Sequence, residues 1–121
     1  MFEKIQDIAV VKAQKDLEGE WFEGADTYLN ALVEEVFEVK EEIKSARQCF
    51  LEDELGDLLW DIACVLEHLE LSGQINKDEV FRRAIKKYSE RVTERIEGET
   101  WASVKEKQKI ELEREHLKGF E

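Results

Sequence analysis

Proline is absent from all 121 residues, so the chain has no proline-rich linker and no proline kink inside any helix. Cysteine occurs only as Cys49 and Cys64. Two are too few for a disulfide framework or a four-ligand zinc site, and both lie in apolar-rich segments, which reads as reduced and buried. Long hydrophobic runs are missing too: the longest, Ile62-Ala63-Cys64-Val65-Leu66, falls far short of the ~20 residues that cross a bilayer. Met1-Phe2-Glu3-Lys4 leads into no signal-peptide core, and the expectation is a soluble, cytoplasmic protein. Positive charge is scarce, with 18 Lys and Arg against 30 Asp and Glu, a net charge of −12 and a pI near 4.7. Without a basic stripe the chain does not suit a nucleic-acid polymer, whose phosphates would meet like charge. A phosphate ligand would need a bridging cation.

What is present suffices for one domain, residues 1–121: 42% of the residues are hydrophobic, enough for a core at this length. Five glycines, Gly19, Gly24, Gly73, Gly98 and Gly119, punctuate periodic segments. Helical spacing runs from about Phe2 to Leu17. A Trp-containing loop, Glu18 to Ala25, leads to a second helix capped by Asp26 or Thr27 and reaching about Ala46. A third runs from about Phe50 to Leu71, stopped at Ser72-Gly73. Its apolar residues cover so much of the circumference that it belongs at the centre and at a subunit interface. Asn76-Lys77-Asp78-Glu79 resembles a capping box opening a fourth helix to about Ile96. Thr100 to Leu117 is charge-rich and must lie on the body or on a partner. The fold class is all-α, a four-helix-type bundle with an additional C-terminal helix, oligomeric.

Two acidic pairs, Glu35/Glu38 and Glu54/Asp57, stand out. Surface acids at i, i+3 are common in so acidic a chain, and their blandest reading is solvated helix surface. Geometry distinguishes these two. At about 100° per residue, Glu38 lies near 300° from Glu35 with the apolar stripe centred near 100°, and Asp57 lies near 300° from Glu54 with its stripe near 80°. In an antiparallel hairpin turning near residue 46, both pairs sit at one level, about nine residues from the turn. Converging carboxylates in a poorly hydrated place repel one another, and a divalent cation relieves that repulsion. Oxygen-only ligation suits Mg²⁺ or Mn²⁺. Gly56, inside the third helix, has two readings: close approach of another backbone, or tolerated helix packing.

Leu32-Val33-Glu34-Glu35-Val36-Phe37-Glu38-Val39 and Glu52-Asp53-Glu54-Leu55-Gly56-Asp57-Leu58-Leu59 resemble the EExxE and ExxD motifs of MazG-type nucleotide pyrophosphohydrolases, with fifteen residues, Val39 to Asp53, between Glu38 and Glu54. The resemblance implies an all-α, typically oligomeric fold, a homodimer or tetramer. It implies that Glu35, Glu38, Glu54 and Asp57 hold Mg²⁺ while a nucleoside triphosphate is cut between its α- and β-phosphates, giving the monophosphate and pyrophosphate in nucleotide-pool house-cleaning. Lys87-Tyr88-Ser89-Glu90-Arg91 resembles the family's Lys and Arg that touch the phosphates, one helical turn apart. Trp101-Ala102-Ser103-Val104-Lys105 resembles its Trp and Lys that reach the nucleotide. The bland counterparts are ordinary surface charge for Lys87 and Arg91 and a hydrophobic pin for Trp101.

Phosphoryl transfer needs charge neutralisation and in-line positioning. The proton from the attacking water would go to a cluster carboxylate or to a neighbour such as Glu34, Glu42 or Asp61. Trp21, Phe22 and Trp60 are stacking candidates for a base. A di-iron carboxylate bundle needs Glu-x-x-His on each of two helices, and only Glu113/His116 fits. The rival to an enzyme is a non-enzymatic acidic helical interaction module, which predicts no dependence on Mg²⁺.

Overall fold

A computed structural model describes residues 1–19 and 24–119. Trp21 and Phe22, two of the stacking candidates, lie outside the described residues, as does the middle of the expected loop from Glu18 to Ala25. All regular structure among the described residues is helical: α1 Phe2–Glu18, α2 Asp26–Ser45, α3 Gln48–Leu71, α4 Lys77–Tyr88, a π-helical turn Ser89–Thr93, and α5 Trp101–Lys118. The all-α expectation holds. None of these helices is long and apolar enough to cross a membrane. The chain forms two compact units, Met1–Lys77 and Asp78–Glu121.

In the first unit α3 packs against both α1 and α2, as the breadth of its apolar face predicts. The central cluster is Ala9, Tyr28, Ala63 and Cys64, ringed by Phe2, Ile5, Trp60 and Val65. Its alanines bring α1 close to α3, and Trp60 packs on this cluster. Beside it lies a buried polar knot. Asp16 accepts hydrogen bonds from Tyr28 Oη (2.5 Å) and from Lys12, and lies 2.8 Å from His68 Nε2. The rings of Tyr28 and His68 stack with centroids 5.7 Å apart.

The α2–α3 hairpin turns on two residues, Ala46 and Arg47, with Ala46 in the left-handed region at φ 58°. Arg47 fixes the turn by reaching back to Glu42 with two bonds, Nε to Oε1 at 2.9 Å and Nη2 to Oε2 at 3.0 Å, and its guanidinium lies 3.9 Å from the Phe50 ring centroid. Three expectations change here, and the open reading of Gly56 narrows. α3 begins at Gln48, two residues earlier than the apolar periodicity indicates. Neither Asp26 nor Thr27 caps α2: Ala25 holds the cap position without a side-chain bond, and Asp26 sits in the first turn, where its charge favours the helix dipole. Cys49 is exposed while Cys64 is buried, both free. At about 100° per residue Cys49 points about 140° away from the centre of the apolar stripe of α3, so an apolar neighbourhood in sequence does not bury it. A Cβ placed on Gly56 meets nothing within 4 Å, so no other backbone approaches it among the described residues.

α3 ends as expected, with Gly73 at φ 78° and its amide donating to Glu70 O at 3.0 Å, a left-handed helix stop. Lys77 then returns to α3, its Nζ 2.7 Å from buried Glu67 Oε2 and its amide 2.7 Å from Glu70 Oε2.

In the second unit α4 stops at Tyr88, short of the expected Ile96. The chain then widens into the π-helical turn, where the Glu94 amide donates to Ser89 O at 2.7 Å and Thr93 Oγ1 donates to the same carbonyl at 3.1 Å. α5 opens on a reciprocal cap: Thr100 Oγ1 accepts from the Ser103 amide at 3.0 Å, and Ser103 Oγ accepts from the Thr100 amide at 2.9 Å. Val104 is the buried residue of α5. Gln108 binds this unit together, donating to Lys87 O (3.0 Å) and Glu90 Oε1 (2.9 Å) and accepting from Arg91 Nε (2.7 Å). Arg83 adds a two-pronged ion pair to Glu115 on α5.

Candidate metal and active site

The tight turn at Ala46-Arg47 folds α2 back along α3, so acids at similar distances from it meet. Glu35 and Glu38 reach Glu54 across the hairpin, each offering an oxygen within 4.8 Å of the others. Asp57 meets Glu54 in a second group of three, and Asp53 completes that group. The four acids singled out in the sequence therefore fall into two overlapping groups sharing Glu54. Asp53, one residue before Glu54, is an addition that helical spacing alone leaves out.

The cluster is electrostatically strained. Burial, then a shared hydrogen bond and the charge of Glu38, push the Glu35 carboxyl up to about 7. Burial and Glu38 likewise raise Glu54. Glu35 Oε2 and Glu54 Oε2 are buried with no hydrogen-bond partner among the described residues. Unsatisfied acceptors in a poorly hydrated place are costly unless something positive meets them. The donor set is all oxygen and convergent, which fits a hard divalent cation of the Mg²⁺ or Mn²⁺ kind.

The neighbours named as proton acceptors separate clearly. Glu42 is pinned by Arg47 and Ser45, which hold its carboxyl below the usual carboxylate range despite some burial, so it is committed to the turn. Glu34 is exposed and belongs to neither group of acids. Asp61, one turn beyond Asp57 on α3, is buried and its Oδ2 has no partner among the described residues.

A family model, the MazG nucleotide pyrophosphohydrolase domain, matches residues 23–96. The chain belongs to the MazG nucleotide pyrophosphohydrolase family. Comparisons with curated proteins and with solved structures give no significant match. The MazG match takes in α2, α3, α4 and the π-helical turn, and with them every acid of the two groups. A MazG domain carries nucleotide pyrophosphohydrolase activity in general terms, in a family that is generally dependent on divalent metal, and the acidic cluster here suits such an ion.

The basic residues read from the MazG resemblance all lie in the second unit. Lys87 is exposed in the last turn of α4. Arg91 falls in the π-helical turn, so the four-residue spacing crosses a change of helical pitch and is no longer one α-helical turn. Its guanidinium lies 5.4 Å from the Tyr88 ring centroid and 5.6 Å from that of Trp101, with Gln108 on Nε. Trp101, the first residue of α5, is 44% exposed, and its ring packs 6.3 Å from Tyr88. Lys105 is exposed one turn further on. Trp101 and Lys105 lie beyond the segment matched by the MazG model.

Proposed function

We propose that this chain is a Mg²⁺-dependent nucleoside triphosphate pyrophosphohydrolase, cutting a ribo- or deoxynucleotide between its α- and β-phosphates and releasing the monophosphate and pyrophosphate. One observation carries the reading: Glu35, Glu38 and Glu54 each offer an oxygen within 4.8 Å of the others, and Glu35 Oε2 and Glu54 Oε2 are buried without a partner among the described residues. Within a MazG domain, that is a place built for a cation. Glu35, Glu38, Glu54 and Asp57 hold the metal, and Mn²⁺ is a workable substitute. When bound, the ion neutralises phosphate charge that a protein of net charge −12 would otherwise repel.

Other groups of the chain supply the remaining roles. Lys87 and Arg91 meet the phosphates and favour the charge that builds on the departing pyrophosphate. Trp101 and Lys105 reach the nucleotide. The whole chain, residues 1–121, works as one MazG-like domain in a homodimer or tetramer. Support for assembly comes from large apolar side chains left exposed on α2 and α3, among them Val33, Phe37, Leu55 and Leu59. A cytoplasmic role in nucleotide-pool house-cleaning accords with this chemistry.

The test is a panel of ribo- and deoxynucleoside triphosphates with Mg²⁺, scored for pyrophosphate against orthophosphate. Metal-dependent pyrophosphate release is the expected result. Orthophosphate release would move the cut to another bond, and inertness toward every nucleotide with and without metal would favour the acidic interaction module.

A further inference from the structure

Glu54, Asp57, Asp61, Cys64 and His68 fall within an arc of about 80° on α3 at about 100° per residue, a polar stripe leading from the acidic cluster into the core. Asp61 is the link that nothing nearby explains. It is 5% exposed and its Oδ2 has no hydrogen-bond partner among the described residues. Burial, reinforced by the charge of Asp57, raises its carboxyl above the usual range. Beyond it on the stripe stands Cys64, a neutral thiol pushed up to about 12 chiefly by burial, which supplies no positive charge. A buried acceptor left unmatched is costly. Asp61 also belongs to neither group of three acids whose oxygens meet within 4.8 Å. Ligands of one octahedral Mg²⁺, each ~2.1 Å from the ion, lie no more than about 4.2 Å apart. Asp61 is therefore set back from direct ligation beside those acids, yet one turn from Asp57.

We propose that Asp61 is a positioning residue for the metal centre, its Oδ2 accepting a hydrogen bond from one of the waters that a hydrated divalent cation keeps when bound to the carboxylates. The proposal rests on the metal-dependent reading above. Hard cations of this kind retain several waters, and outer partners of that sort orient them. The orphan oxygen of the metal-free protein becomes a satisfied acceptor in the loaded one.

Mn²⁺ binding to the full chain, followed by electron paramagnetic resonance without nucleotide, tests this. Asp61→Asn and Asp61→Leu should each weaken Mn²⁺ binding about tenfold while raising the urea midpoint of the metal-free protein. A merely structural residue would lower both. Glu52→Gln, which removes an exposed charge outside both acid groups, serves as the charge control and should stay within about twofold of the parent. Asp61 variants that bind Mn²⁺ as the control does, with the parent binding normally, would overturn the proposal and leave the pyrophosphohydrolase reading standing. Asp61 variants that fail to fold would overturn it too, since removing an unpartnered carboxyl cannot then be a relief. A parent that binds no Mn²⁺ would bring down both.

Discussion

Asp16 Oδ2 lies 2.8 Å from His68 Nε2 across 52 residues of sequence, with both side chains buried. The contact ties α1 to α3, and Tyr28 adds α2 through its own bond to Asp16. Burial pushes the Asp16 carboxyl up, but the bonds from Lys12, Tyr28 and His68 prevail and hold it below its ordinary value of 3.8. A depressed folded-state value means that ionised Asp16 stabilises the fold fully above pH ~3.8. That contribution drains away as the pH falls through the lower folded-state value. Asp16→Asn should cost about 3 kcal/mol at neutral pH, because it strips charge from a buried pair and leaves partners unmatched. Urea unfolding at pH 7 and pH 3 measures it, and the gap between variant and parent should narrow at the lower pH.

Glu38→Gln keeps the shape of the cluster and removes one negative charge. Because Glu38 is the main neighbour pushing the Glu35 carboxyl up, the metal-free fold should keep or gain stability. Turnover with Mg²⁺ should fall about a hundredfold or more. Parallel thermal melts and pyrophosphate assays show whether the two effects separate. Turnover equal to the parent's would remove the cluster from the reaction.

Lys87→Ala and Arg91→Ala should leave Mn²⁺ affinity unchanged and lower kcat/KM, with the loss mainly in kcat if these cations meet charge that develops in the transition state. Arg91→Ala also frees Gln108 and the faces of Tyr88 and Trp101. Its circular dichroism should therefore be recorded beside the kinetics.

Gly56→Ala should stabilise α3 by up to ~1 kcal/mol, the ordinary gain of alanine over glycine inside a helix. A Cβ there meets open space. A denaturant midpoint below the parent's would mean that another backbone, such as a partner copy's, approaches this position.

Light scattering at micromolar concentration should give at least a dimer. Phe37, 62% exposed on α2, is a direct probe, and Phe37→Asp should shift the population towards monomer. A parent that is already monomeric would show that α2 and α3 carry their apolar side chains without a partner.

Sequence by itself determined the helices, the hairpin and the pairing of the acids. Periodicity of 3.6 residues names the apolar face of α2 and α3, and the midpoint of Glu35/Glu38 and Glu54/Asp57 falls on the turn at Ala46. The acidic motifs also carry the family, because the spacing of acids along a helix is local. Which groups are buried, and by whom they are met, was decided only in three dimensions. Cys49 lies in an apolar-rich segment and is exposed; Asp16 and Asp61 are acids and are buried. Glu42 looked available until Arg47 closed on it across the turn, and Arg91 left the α-helical register when the backbone widened after Tyr88. Helical spacing fixes a side chain's direction around its own axis, whereas burial, hydrogen bonding and the resulting shifts in acidity depend on what the other helices bring to that face.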